Sequence, residues 1–83
     1  MQGFDWAAVD GDGYPWLFHG EPQYDETLGC WDSGNVMGDL NNTLVVKLAC
    51  DGVGKKQKRK LKHLDLVTWT VVYDGEPIDG GVQ

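Results

Sequence analysis

The chain has 83 residues, a formal charge of −6 and nine aromatic side chains, four of them Trp. An apolar fraction of 41% is too high for a disordered polypeptide. Roughly 60–65% of the unfolded surface is all that so short a chain buries, which leaves room for one compact domain and makes a deep catalytic cleft hard to build. Apolar runs fall well short of the ~18 residues a membrane span needs, and no secretion signal is recognisable, so no membrane association is expected.

In chain order, "FDWAAVD" and "YPWLFHG" are apolar-aromatic runs on either side of "GDG", a turn of the residues that tolerate positive φ. They predict a hairpin. Tyr14, Trp16 and Phe18 alternate with Pro15, Leu17 and His19, the period of a strand with one buried face. Pro15 donates no ladder hydrogen bond, so this strand belongs at a sheet edge or starts there. "EPQYDETLG" is polar and turn-rich, and "CWDSGNVM" reads as a weaker strand interrupted by Gly34. "NNTLVVKLAC" is rich in β-branched residues from Thr43 to Cys50 and predicts a buried strand, with a helix capped by Asn41 or Asn42 as the alternative. After a basic segment, "LVTWTVVY" has five β-branched residues in eight and is the most strand-like stretch of the chain. "DGEPIDGG" predicts a turn, a short edge segment at Ile78 and a frayed tail over about 79–83. "GEP" at Gly20 and at Gly75 reads as two similar turns, not a repeat.

The expected fold is a mainly β to α+β single domain of five or six short, mostly antiparallel strands with at most one or two short helices. Its core is expected to combine Val45, Val46 or Leu48 with Val67, Trp69 and Val71. Cys30 and Cys50 are expected as free thiols, and a bridge closing a loop of about twenty residues is the alternative.

Charge is segregated along the chain. Residues 1–46 hold eight carboxylates and no Lys or Arg, residues 47–62 hold seven basic groups and one Asp, and residues 63–83 hold four carboxylates. Six of the cations (Lys55, Lys56, Lys58, Arg59, Lys60 and Lys62) lie within eight residues. Three readings follow: a solvated loop or turn over about 51–63 that pairs with the protein's own carboxylates, a contact for an acidic protein, or a phosphate-binding patch. Net charge opposes the last. Asp10, Asp12, Asp25 and Glu26 are candidates for an acidic surface that imitates nucleic-acid phosphates and meets a partner with a basic face.

Metal and catalytic signals are weak. Asp10, Asp12 and Glu21 match positions 1, 3 and 12 of a calcium loop, but Pro15 stands where the sharp turn demands Gly. Cys30, Cys50, His19 and His63 are isolated from one another in sequence, so no zinc site is predicted. Neither His has a Ser or Cys at a nucleophile spacing, and no phosphate-binding glycine motif occurs. No metal, cofactor or enzymatic activity is expected.

The order "DWAAVDGDGYPWLF", "EPQYDETLGCW" and "LVTWTVVYDGEPI" resembles small proteins encoded by tailed phages and prophages, over about half the chain. The long basic stretch through residues 43–64 departs from that pattern. The resemblance implies a viral source and a bacterial cytoplasm, where small acidic proteins act as inhibitors of host nucleic-acid or defence machinery. The leading expectation is therefore a non-enzymatic module that binds a host protein. A nucleic-acid-binding module using residues 55–62, or a small structural subunit of an assembly, are the alternatives.

Overall fold

The structure, a computed structural model, describes residues 5–32 and 43–81. Over these residues the elements are β1 (Trp6–Val9), β2 (Pro15–Phe18), β3 (Gln23–Asp25), β4 (Cys30–Asp32), α1 (Thr43–Ala49), β5 (Gln57–Asp65), β6 (Thr70–Tyr73) and β7 (Ile78–Asp79). The fold is mainly β, with antiparallel pairing throughout and one short helix among the described residues, as the sequence led us to expect.

The main sheet runs β2-β1-β5-β6, and β7 pairs with the start of β5 on the side away from β1. The predicted hairpin forms between β1 and β2, closed by Asp10, whose carbonyl accepts from Gly13 N–H at 2.9 Å, and by Asp12, whose Oδ1 accepts from Tyr14 N–H at 3.0 Å. Pro15 is the first residue of edge strand β2, where a missing donor costs the ladder nothing.

All four residues of β1 are buried, because the sheet is covered on both sides. Ala7, Val9, Leu17 and Leu61 pack with Val45, Val46, Ala49 and Cys50 of the helix side, while Trp6, Ala8 and Phe18 pack with Trp31 on the other. Small Ala7 and Ala8 let both layers approach. The second layer is the separate β3–β4 hairpin, which brings Tyr24 and Trp31 together edge to face at 5.2 Å.

Residues 43–49 form the helix that stood as the alternative to a strand. Val45, Val46 and Ala49 are buried while Leu44 and Lys47 are exposed, so a packed face decides against β propensity. The capping Asn residues lie outside the described residues, as does the rest of "CWDSGNVM" beyond Asp32. The basic segment is a turn only over residues 51–56: from Gln57 onward it is β5, the longest strand, paired on both sides. Nor is Ile78–Gly80 frayed, since Ile78 and Asp79 pair with Lys58 and Gln57, and Gly80 N–H donates to the Lys56 carbonyl.

The predicted core is half right. Val45 and Val46 are buried and Val71 packs against them, but residues 66–69 are a turn in which Val67 is 91% and Trp69 51% exposed. The β-branched run spans a hairpin bend, so only Thr70–Tyr73 is strand. The register of β5 against β6 shifts between Leu61 and His63, a bulge at Lys62. One extra residue keeps Leu61 and Leu64 facing the helix cluster, which regular alternation would forbid.

Candidate functional site

Strand parity divides the basic segment. Lys58 lies opposite Ala8, on the aromatic side of the sheet, and is only 7% exposed. Its Nζ sits 2.9 Å from Glu21 Oε2, donates to the Pro22 carbonyl at 3.0 Å, and lies 5.5 Å from the rings of both Trp6 and Trp31. Arg59 projects to the helix side. It stacks 4.1 Å from the Tyr73 ring and donates to the carbonyls of Gly75 and Gly52 at 2.8 and 3.2 Å. Tyr73 Oη completes this clamp, accepting from Gly52 N–H and donating to the Ala49 carbonyl, both at 2.8 Å. A Cβ on Gly52 would stand 2.8 Å from both Arg59 and Tyr73, so the close approach requires glycine. Lys55, Lys56, Lys60 and Lys62 remain on the surface.

The four acidic candidates divide too. Asp10 is 6% exposed, with one carboxylate oxygen accepting from Trp16 Nε1 and the other from Trp31 N–H at 3.1 Å. It joins β2 to β4 and presents no acidic surface. Asp25 is half-buried and holds the β3–β4 turn, its Oδ1 accepting from Thr27 and Leu28 N–H at 2.9 and 3.2 Å. Asp12 and Glu26 are exposed.

The feature that the charge map missed is the β5–β6 hairpin. Its turn repeats the carboxylate hydrogen bonds of the β3–β4 turn. Asp65 Oδ1 accepts from Val67 and Thr68 N–H at 2.9 and 3.2 Å, and these donors hold its carboxyl below the ordinary range. In both turns the fourth residue after the Asp has positive φ: Gly29 at 70° and Trp69 at 55°. Glycine takes that conformation freely, whereas an L side chain pays ~1–2 kcal/mol. The second turn thus carries a large aromatic residue where the first carries the residue that backbone geometry favours.

Trp69 belongs to neither hydrophobic cluster. Around it Leu66 (37%), Val67 (91%) and Val72 (47%) are also exposed. His63 stands opposite Val72, and His63, Lys60 and Lys62 are exposed along β5. The other side of this arm is fixed to the body: Leu64, Val71 and Tyr73 pack on the helix cluster. The hairpin therefore presents an apolar tip with a cationic flank.

A shallow groove of about 450 Å³ lies elsewhere, between Val9, Pro15, Lys47, Cys50, Val53 and Lys55. The Cys50 thiol in its wall points at the carbonyls of Ala8 and Trp16, and burial pushes its pKa up to about 11, which keeps it protonated and unreactive. Cys30 and Cys50 are both free thiols. No group of three or more His, Cys, Asp or Glu gathers among the described residues, and among them no helix is long and apolar enough to cross a membrane.

Sequence inspection alone held a signal for the arm. "DETLGC" and "DLVTWT" share an Asp, a four-residue turn and a strand, with Trp in place of Gly. No family model, curated protein or solved structure matches this chain.

Proposed function

We propose that this chain is a small, non-enzymatic protein-binding module whose docking element is the β5–β6 arm. Trp69 is the anchor. The observation that carries the reading is its combination of positive φ, half-exposed indole and absence from both clusters. A side chain kept at ~1–2 kcal/mol of conformational cost, without a place in the core, has its use outside the fold. Trp is also the residue type most enriched among side chains that dominate binding energy.

The resemblance to phage and prophage proteins supplies a setting for the module: a host protein as partner, met in the bacterial cytoplasm, with inhibition as the outcome. Within that setting the arm takes precedence over an acidic nucleic-acid mimic, because Asp10 is buried and Asp25 is engaged in its turn. Neither a metal nor a cofactor enters the reading.

The test is capture from bacterial lysate with wild type and with Trp69→Gly, which keeps a residue suited to positive φ. Proteins retained by wild type and lost with the variant, at unchanged circular dichroism, are the expected result. Identical sets from the two baits would refute the arm as the docking element.

A further inference from the structure

An Asp followed by Gly carries a latent reaction. The glycine nitrogen can attack the side-chain carboxyl carbon of the Asp, because glycine has no side chain to block the approach and its backbone reaches conformations closed to other residues. The new N–Cγ bond replaces a Cγ–O bond, water leaves with the amide proton and a carboxyl oxygen, and a five-membered succinimide results. Water then reopens the ring. Attack at Cγ restores Asp. Attack at the main-chain carbonyl carbon breaks the original peptide C–N bond, so the chain runs through Cγ as isoaspartate and the former main-chain carbonyl becomes a free carboxylate. The water lost is regained and nothing is oxidised or reduced.

The chain has five such pairs, beginning at Asp10, Asp12, Asp51, Asp74 and Asp79. Four of the glycine nitrogens are held. Gly11 N–H donates to the Gly29 carbonyl at 3.2 Å, Gly13 to the Asp10 carbonyl at 2.9 Å, Gly52 to Tyr73 Oη at 2.8 Å and Gly80 to the Lys56 carbonyl. Three of these glycines are also crowded: a Cβ would stand 2.9 Å from Tyr24 Oη at Gly11, 2.8 Å from Arg59 and Tyr73 at Gly52, and 2.7 Å from Trp31 at Gly80. The carboxylates of Asp10, Asp12 and Asp79 accept hydrogen bonds of their own, from Trp16 and Trp31, from Tyr14 N–H and from Gln57.

Gly75 differs on each count. Among the described residues its N–H donates no hydrogen bond and the Asp74 carboxylate accepts none. Both residues are exposed, and a Cβ on Gly75 would meet no atom within 4 Å. We propose that Asp74 is a site of spontaneous covalent modification, converting to isoaspartate through the succinimide while the other four pairs are restrained by the fold. The consequence reaches the base of the β5–β6 arm. Asp74 N–H donates to the Lys60 carbonyl and the Gly75 carbonyl accepts from Arg59 Nε, both at 2.8 Å, so the link is anchored at its two ends. Isoaspartate inserts an extra backbone atom between those anchors, and Arg59 loses the Gly75 carbonyl. Nothing in this chemistry depends on what the arm binds.

The folded chain is aged in warm, near-neutral buffer beside a guanidinium-unfolded sample, and isoaspartate is located by peptide mapping with electron-transfer fragmentation. Unfolded, the five pairs should convert at similar rates. Folded, Asp74 should outrun each of the others about fivefold or more, the weight of a single hydrogen bond. Asp74→Glu keeps the charge but cannot close the five-membered ring, and should show no conversion at this position. Tyr73→Phe removes the acceptor of Gly52 N–H and should speed conversion at Asp51. Folded chain carrying isoaspartate at position 74 should melt below the fresh chain, whereas aged Asp74→Glu should melt as it did when fresh. Folded conversion at Asp74 no faster than at the other pairs, the same preference for Asp74 in the unfolded chain, unchanged conversion at Asp51 in Tyr73→Phe, or an isoaspartyl chain that melts with the fresh one would each overturn the proposal.

Discussion

Replacing Lys58 by Met tests the division of the basic segment into an inward and an outward half. The substitution keeps the unbranched stem between Trp6 and Trp31 and removes only the charged end. Three contributions are lost. The carbonyl of buried Pro22 loses its donor, and an orphaned buried acceptor costs ~1–3 kcal/mol. Two cation–π contacts at 5.5 Å go, each about 0.5–1 kcal/mol. The ion pair with Glu21 adds little, because that carboxylate is 51% exposed and water screens it. The total is about 2–5 kcal/mol, a large share of what so small a domain has, and corresponds to a fall in Tm of roughly 10–40 °C. Thermal unfolding followed by circular dichroism measures it, with Lys62→Met as the exposed control, expected within about 0.5 kcal/mol of wild type. If the two variants melt together, Lys58 is no structural cation and the parity argument fails.

Trp31→Ala should cost ~3–5 kcal/mol, since the indole is 6% exposed and its Nε1 donates to the Val9 carbonyl at 2.8 Å; urea unfolding measures it, and a loss below about 1 kcal/mol would contradict the aromatic layer. Cys50 has a folded pKa of about 11, raised from 9.0 by burial, so its contribution is complete below pH 9 and falls away as pH rises through 11. Unfolding free energies at pH 8, 9.5 and 10.5 should decline accordingly, with a shallower decline in Cys50→Ala; the remaining slope includes Tyr73, whose pKa burial also raises. Binding of oligothymidine near 50 mM salt should be weak, because only four of the six clustered cations face solvent on a chain of charge −6; submicromolar, salt-sensitive binding lost on changing Lys55, Lys56, Lys60 and Lys62 to Gln would contradict this.

Local periodicity sufficed for the first hairpin, where Asp-Gly turn chemistry and alternating aromatics agree. It failed at residues 43–50, because β-branched residues report a preference worth tenths of a kcal/mol while burial of Val45, Val46 and Ala49 against the sheet is worth several. "LVTWTVVY" misled for a related reason: β-branched residues fill a turn as well as a strand when Asp65 supplies the turn's hydrogen bonds from outside the run. Charge counts located the basic segment but gave no sidedness. That came from register, since pairing with Ala7 and Ala8 sends Arg59 and Lys58 into opposite layers. The same holds for Asp10, whose partners Trp16 and Trp31 are brought to it by two different hairpins.

Whether Trp69 serves contact outside the fold is read from the stability of Trp69→Gly in urea. Relief of the positive φ returns ~1–2 kcal/mol, the greater freedom of unfolded glycine removes about 0.5–1, and loss of the partly covered indole removes about 1 more. These nearly cancel, so the variant should lie within about 1 kcal/mol of wild type. A loss above about 3 kcal/mol, the size seen for a core Trp, would make Trp69 part of the fold and contradict the account.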